Sequence, residues 1–166
     1  MNSSNILVVE DQISPLDSIS YAIRKVILSE AEALPRFGNY TSEEVEKELR
    51  ERKIDFARCY NEAQEHILNQ TKNYDLVFLD HRMPYENCRE LERIDSRSFS
   101  DRMHEIGYEL IPSIRQNYPN VKIIGTSSLS ELKLRFYEKP DFYLDKSLVR
   151  TIDKDLERIL AQIKAR

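Results

Sequence analysis

Apolar residues fall into short blocks along this chain, each closed by charged or small polar residues. Compact apolar runs occupy Ile6–Val9, Leu76–Leu79 and Val121–Ile124, and weaker ones stand at Ile54–Phe56 and Phe142–Leu144. Short runs of this kind predict five strands, mostly buried on both faces. Between them the period becomes helical. Ser14, followed by Pro15 and Asp17, has the form of an N-cap with proline at the first helical position, and Leu16, Ile19, Ile23, Val26 and Ile27 then share one face. Asn61 is placed to cap a helix carrying Ala63, Ile67 and Leu68. Residues Gly107 to Tyr118 carry Leu110, Ile111 and Ile114, with Pro112 a mark against an unbroken helix. Leu148, Ile152, Leu156, Ile159, Leu160 and Ile163 make the last stripe. Strand alternates with helix, which predicts an α/β, doubly wound parallel sheet of five strands with helices on both faces.

Composition narrows what such a fold does. The 166 residues fit a single domain, 1–166, and 25 Lys+Arg against 29 Asp+Glu give a net charge of -4 without a block of one sign. No nucleic-acid or membrane footprint is expected from that balance. The apolar run at Ile6–Val9 is too short for a signal peptide or a spanning helix, so the chain reads as cytoplasmic. Cys59 and Cys88 form neither a disulfide framework nor a zinc set and read as free thiols, Cys88 as exposed. The three glycines, Gly38, Gly107 and Gly125, make no phosphate loop. His81 and His104 read as surface or loop residues, and the charged run from Glu43 to Lys53 as a solvated helix face.

In doubly wound folds, ligands sit at the carboxyl ends of the strands. The polar residues at those ends are Glu10 and Asp11, Asp80, Thr126 and Ser127, and Asp145 and Lys146. Three acids, a hydroxyl and an amine would meet on one rim. Carboxylates so close repel one another unless a cation lies among them, and a hard divalent ion such as Mg²⁺ meets that need, leaving threonine and lysine for an anion. The set describes a phosphoryl site.

The segments "ILVVEDQ", "LVFLDHRMP", "VKIIGTSS" and "FYLDKS" together resemble, in the right order, receiver domains of two-component response regulators. The resemblance implies a flavodoxin-like sheet with strand order 2-1-3-4-5. It also implies a role for each residue: Asp80 as phosphoacceptor, Asp11 and Asp80 as Mg²⁺ ligands with the backbone carbonyl of Arg82, and Glu10 holding a metal-bound water. Thr126 and Lys146 would contact the phosphoryl group, Tyr143 would be the aromatic that moves inward, and the Arg82 side chain would modulate the lifetime of the phosphorylated state. The partners implied are a sensor histidine kinase or histidine phosphotransferase and a downstream protein target, with homodimerisation open. Such a protein catalyses only its own phosphorylation and dephosphorylation.

Four features depart from the family pattern. Ser147 stands where a proline is usual, and insertions are expected near 35–53, with a capping box at Thr41–Glu44, and near 85–103, over the site. The helix between Ser128 and Asp141 is shortened. No output domain is expected after Ile163. Two other readings stand beside the switch. One is a pseudo-receiver acting as a constitutive interaction module. The other is a small aspartyl-phosphate hydrolase, opposed by Arg82 at the place where that class carries a second acid.

Overall fold

The computed structural model describes residues 5–35, 40–69, 71–88, 95–126, 135–146 and 150–165. The strands are β1 Ile6–Val9, β2 Asp55–Ala57, β3 Leu76–Leu79, β4 Arg82–Met83, β5 His104–Glu105, β6 Lys122–Gly125 and β7 Phe142–Tyr143. The α-helices are α1 Ile13–Ala22, α2 Ser42–Glu51, α3 Tyr60–Leu68, α4 Ser96–Asp101, α5 Ile111–Asn117 and α6 Ile152–Ala165. Five strands form one parallel sheet in the order β2-β1-β3-β6-β7, which is the expected order and doubly wound topology, and β4 pairs with β5 in a separate antiparallel ribbon.

Alternate side chains of each central strand leave on opposite faces and so build two cores. Ile6, Val8, Leu76, Phe78 and Ile124 pack with α1, α2 and α6 through Leu16, Ile19, Val45, Leu49, Leu156 and Ile159. Leu7, Val9, Val77, Leu79 and Ile123 pack with α3 and α5 through Ala63, Ile67, Ile111 and Ile114. Burial on both faces explains why β1 and β3 read as unbroken apolar runs.

The register decides where the polar strand ends go. Val9 lies level with Ala57 and Leu79, Leu79 with Gly125, and Gly125 with Tyr143. The next residues, Glu10, Arg58, Asp80, Thr126 and Leu144, therefore form a second row across the carboxyl edge. The ladder extends into it: the amides of Glu10, Asp80, Thr126 and Leu144 donate to Ala57, Val9, Leu79 and Gly125 at 3.0, 3.0, 3.0 and 2.9 Å.

Several local expectations are corrected. Helix α1 begins at Ile13 after Gln12, not at a Ser14 cap, and Val26 and Ile27 belong to a π-helical turn, Ile23–Ile27, that continues it. Helix α3 is capped by Cys59, whose Sγ accepts from the Glu62 amide at 3.5 Å, so Asn61 lies inside the helix. Pro112 opens α5 rather than breaking it, because a 3₁₀ turn at Gly107–Leu110 precedes it and the first helical turn needs no amide donor there. The capping box is present: the Thr41 amide donates to Glu44 Oε2 at 2.6 Å, and the Glu44 amide to Thr41 Oγ1 at 3.2 Å. Cys88 is buried, not exposed. His81 is fully buried as well. Strands β2 and β6 begin and end one residue later than expected, and β7 ends one residue earlier. Ser127, Ser147, Leu148, Gly38 and the first half of the shortened segment, 128–134, lie outside the described residues.

Candidate functional site

Strand order reverses between β1 and β3, since β1 leads outward to β2 and the chain then returns to β3 on the other side. That is the switch point at which α/β sheets open a crevice. Glu10 and Asp11 close β1 there, and Asp80 closes β3. All three are buried, at 0%, 2% and 3% exposure, and each offers a carboxylate oxygen within 4.8 Å of the others.

Lys146, two residues past the row at the end of β7, reaches into this group. Its Nζ donates to Glu10 Oε2 at 2.6 Å and also binds Asp80 Oδ2. The other Asp80 oxygen accepts from the amides of His81 at 2.7 Å and Arg82 at 3.4 Å, and Glu10 Oε1 accepts from the Gln12 amide at 3.2 Å. Asp11 differs from both. Among the described residues neither of its carboxylate oxygens has a hydrogen-bond partner, although both are buried.

One ammonium does not neutralise three carboxylates. Burial, followed by the charge of Asp80, pushes Glu10 well above the usual carboxylate range and raises Asp11 to about 7. Burial works against the charge on Lys146, but Glu10 and Asp80 outweigh it and hold its pKa above the ordinary value. A cluster of hard oxygens, one carboxylate unpartnered among the described residues, with an excess of negative charge fits a divalent cation.

Thr126 stands beside Asp80 in the same row, on the adjacent strand. Its Oγ1 is buried and has no partner among the described residues. Tyr143, by contrast, lies on the edge strand with 47% of its surface exposed, outside the acidic group. Arg82 is exposed, and its backbone forms β4 opposite Glu105.

The chain after Asp80 is pinned tightly. The His81 carbonyl accepts from the amides of Ile106 at 3.0 Å and Gly107 at 2.8 Å, and His81 Nδ1 accepts from the Tyr108 amide at 3.1 Å. The ring packs between Tyr108 and Tyr137, with centroids 4.5 and 4.4 Å away, and burial lowers its pKa, which favours the neutral ring. A Cβ on Gly107 would lie 1.9 Å from the Asp80 carbonyl oxygen, so only glycine fits. On the other side, 84–88 lies against the start of α3: Tyr60 and Asn61 donate their amides to Pro84 and Tyr85 at 2.9 and 3.0 Å, and Asn87 Nδ2 reaches Glu62 at 2.6 Å. The described start of the expected insertion, 85–88, is thus tied to α3. Residues 89–94 lie outside the described residues.

Two residues of the rim escaped the sequence reading. His81, expected as a surface or loop residue, lies in a bend but is fully buried, and Arg58, next to Glu10 in the row, is 2% exposed with its guanidinium on the Asp11 carbonyl. No periodicity marks either one.

No family model matches the chain, and no curated protein matches it. Solved structures do match. Response regulator DrrB of Thermotoga maritima, an OmpR/PhoB homolog, is similar at 18% identity and a TM-score of 0.52, covering 95% of this chain and 52% of that one. A response regulator of Burkholderia pseudomallei, solved with a phosphorylated aspartic acid, calcium ion and citrate, aligns at 11% identity and a TM-score of 0.44, covering 97% and 72%. This chain thus spans about half the length of DrrB, and what it shares with that response regulator is the fold. Among the described residues no helix is long and apolar enough to cross a membrane.

Proposed function

We propose that the protein is a cytoplasmic phosphoacceptor switch of a two-component system, phosphorylated on Asp80. The observation that carries this reading is the meeting of Glu10, Asp11 and Asp80 with Lys146 and Thr126 on adjacent strand ends. A packing role would leave buried acids paired one to one with cations or donors, whereas here acid is in excess and Thr126 Oγ1 is unpartnered.

Asp11 and Asp80, with the backbone carbonyl of Arg82, would hold Mg²⁺, with Glu10 on a bound water. The ion would supply positive charge for phosphoryl oxygens. In the transfer, an Asp80 carboxylate oxygen forms a bond to phosphorus while the nitrogen–phosphorus bond of a phosphohistidine breaks, and that bond's electron pair stays on the donor imidazole. Lys146 turns from the carboxylates to the new anion. Thr126 donates to a phosphoryl oxygen, a charge-assisted bond about twice as strong as a neutral one. Movement of Thr126 opens room for Tyr143, now exposed, to turn inward and change the face read by a target protein. The reaction serves the domain's own state alone, so the protein is not an enzyme in the usual sense. A histidine kinase or phosphotransferase is the donor, and neither nucleic acid nor membrane is contacted directly.

Incubation with acetyl phosphate and Mg²⁺, followed by intact mass, tests this. One added phosphoryl group is expected, and none in Asp80→Asn. No gain in the unmodified protein would overturn the switch in favour of a constitutive interaction module.

A further inference from the structure

Arg58 is the largest fully buried side chain among the described residues, and the phosphoryl chemistry makes no use of it. Arginine is almost never buried without partners. Here the partners are specific. Nε donates to the Asp11 carbonyl oxygen at 3.0 Å and Nη2 donates to the same oxygen, while Nη1 binds Glu46 Oε1 at 3.0 Å. Glu46 is itself buried, on α2, the helix formed within the expected insertion near 35–53. The Arg58 amide is fixed in turn by Glu62 Oε2 of α3 at 2.7 Å.

The other end of this chain of contacts is Asp11. Its carboxylate is buried and has no hydrogen-bond partner among the described residues, so no such bond fixes its orientation. What is gripped is its backbone, by the two donors of Arg58 on one carbonyl. The register explains the reach: Arg58 follows Ala57, which is level with Val9, so it lies directly beside Glu10 and one residue from Asp11. We infer that Arg58, aimed by Glu46, is a positioning residue for the cation site, fixing the Asp11 backbone so that its carboxylate joins those of Glu10 and Asp80. The inference rests on the reading of those three acids as a divalent-cation site. It gives the inserted helix a task, since α2 supplies the carboxylate that holds the guanidinium in place.

Mg²⁺ binding to the full chain, followed by calorimetry at a pH above the Asp11 value of about 7, tests it. The proteins compared are wild type, Arg58→Lys and Glu46→Gln, with the metal-free melting temperature recorded for each. Lysine lacks the planar fork and cannot donate twice to the Asp11 carbonyl while reaching Glu46. Arg58→Lys is expected to weaken Mg²⁺ affinity about 10-fold or more, the usual effect of removing a group that orients a ligand. Glu46→Gln keeps the shape but loses the charge, and a smaller loss in the same direction is expected. A strut that merely joined α2 to the sheet would lower the melting temperature and leave affinity unchanged. Wild-type affinity in folded Arg58→Lys and Glu46→Gln would overturn the inference, and if Arg58→Lys does not fold, the milder Glu46→Gln decides alone. Absence of Mg²⁺ binding in the wild type would instead overturn the cation site itself.

Discussion

Arg58, buried, and Lys146, half-buried, are cations at the same edge of one sheet, in opposite electrostatic circumstances. Arg58 binds the Glu46 carboxylate and the Asp11 carbonyl, and Glu46 is also paired with Arg50 at 3.6 Å. Lys146 meets two carboxylates, Glu10 and Asp80, with the Asp11 carboxylate in the same cluster. Around Arg58 the acid is matched by cations, and around Lys146 it is not. A balanced buried pair holds structure and tolerates no loss. An unbalanced cluster is held against its own repulsion by the surrounding fold, and it accepts another cation or a proton.

Removing one acid from each region separates the two cases most strongly. Glu46→Ala should destabilise the protein by about 3 kcal/mol, because it leaves a buried guanidinium short of its counter-charge. Asp11→Asn should do the reverse in metal-free protein and raise the melting temperature, since it removes repulsion and breaks no side-chain hydrogen bond to described residues. Denaturant unfolding in the presence of a chelator measures both. A loss of stability in Asp11→Asn matching that of Glu46→Ala would mean that both regions are ordinary paired structure.

Most of the sheet was legible in the sequence because β1 and β3 are buried on both faces and therefore unbroken apolar runs. The acids were legible for a related reason. A polar residue directly after such a run has to sit on the carboxyl edge, and parallel register brings the edges level. Arg58 and Glu46 were not legible. A lone arginine after a three-residue strand looks like a surface residue, and its burial depends on β1, α2 and α3 meeting, with partners 47 and 12 residues away. The β4–β5 ribbon was hidden as well, since two-residue strands carry no period. His81 packs between Tyr108 and Tyr137, contacts between segments that no local pattern announces.

The pH dependence sharpens the contrast with a smaller effect. An acid raised from the usual range to about 7 in the folded state binds more protons folded than unfolded between about pH 4 and 7. Stability of the metal-free protein should therefore fall as pH rises through that window, with Glu10 shifted in the same direction. Mg²⁺ needs the ionised acids, so its binding should release protons and strengthen over the same window. Melting curves across the range, with and without Mg²⁺, measure both trends. In Asp11→Asn the metal-free slope should shrink, and an unaltered slope would place the titration elsewhere.

The smallest expected effect lies at Arg82, which is exposed beside the acidic cluster and gives its amide to Asp80 at 3.4 Å. If its guanidinium holds the phosphoryl group and crowds the attacking water, Arg82→Ala should shorten the phospho-Asp80 lifetime. Exposed charges contribute only ~0–1 kcal/mol, so the change should be a few-fold, with about tenfold as the ceiling set by ~1.4 kcal/mol. Phosphoryl loss followed after donor removal at fixed Mg²⁺ reads it directly. An equal or longer lifetime would rule the clamp out.

The proposed function requires a divalent cation to complete the cluster around Lys146, which is short of positive charge. The direct measurement is a calorimetric Mg²⁺ titration of the unphosphorylated protein beside Asp11→Ala. One saturable site in the wild type, abolished or severely weakened in the variant, is the predicted result. An isotherm unchanged by Asp11→Ala, or no binding in the wild type, would contradict the account.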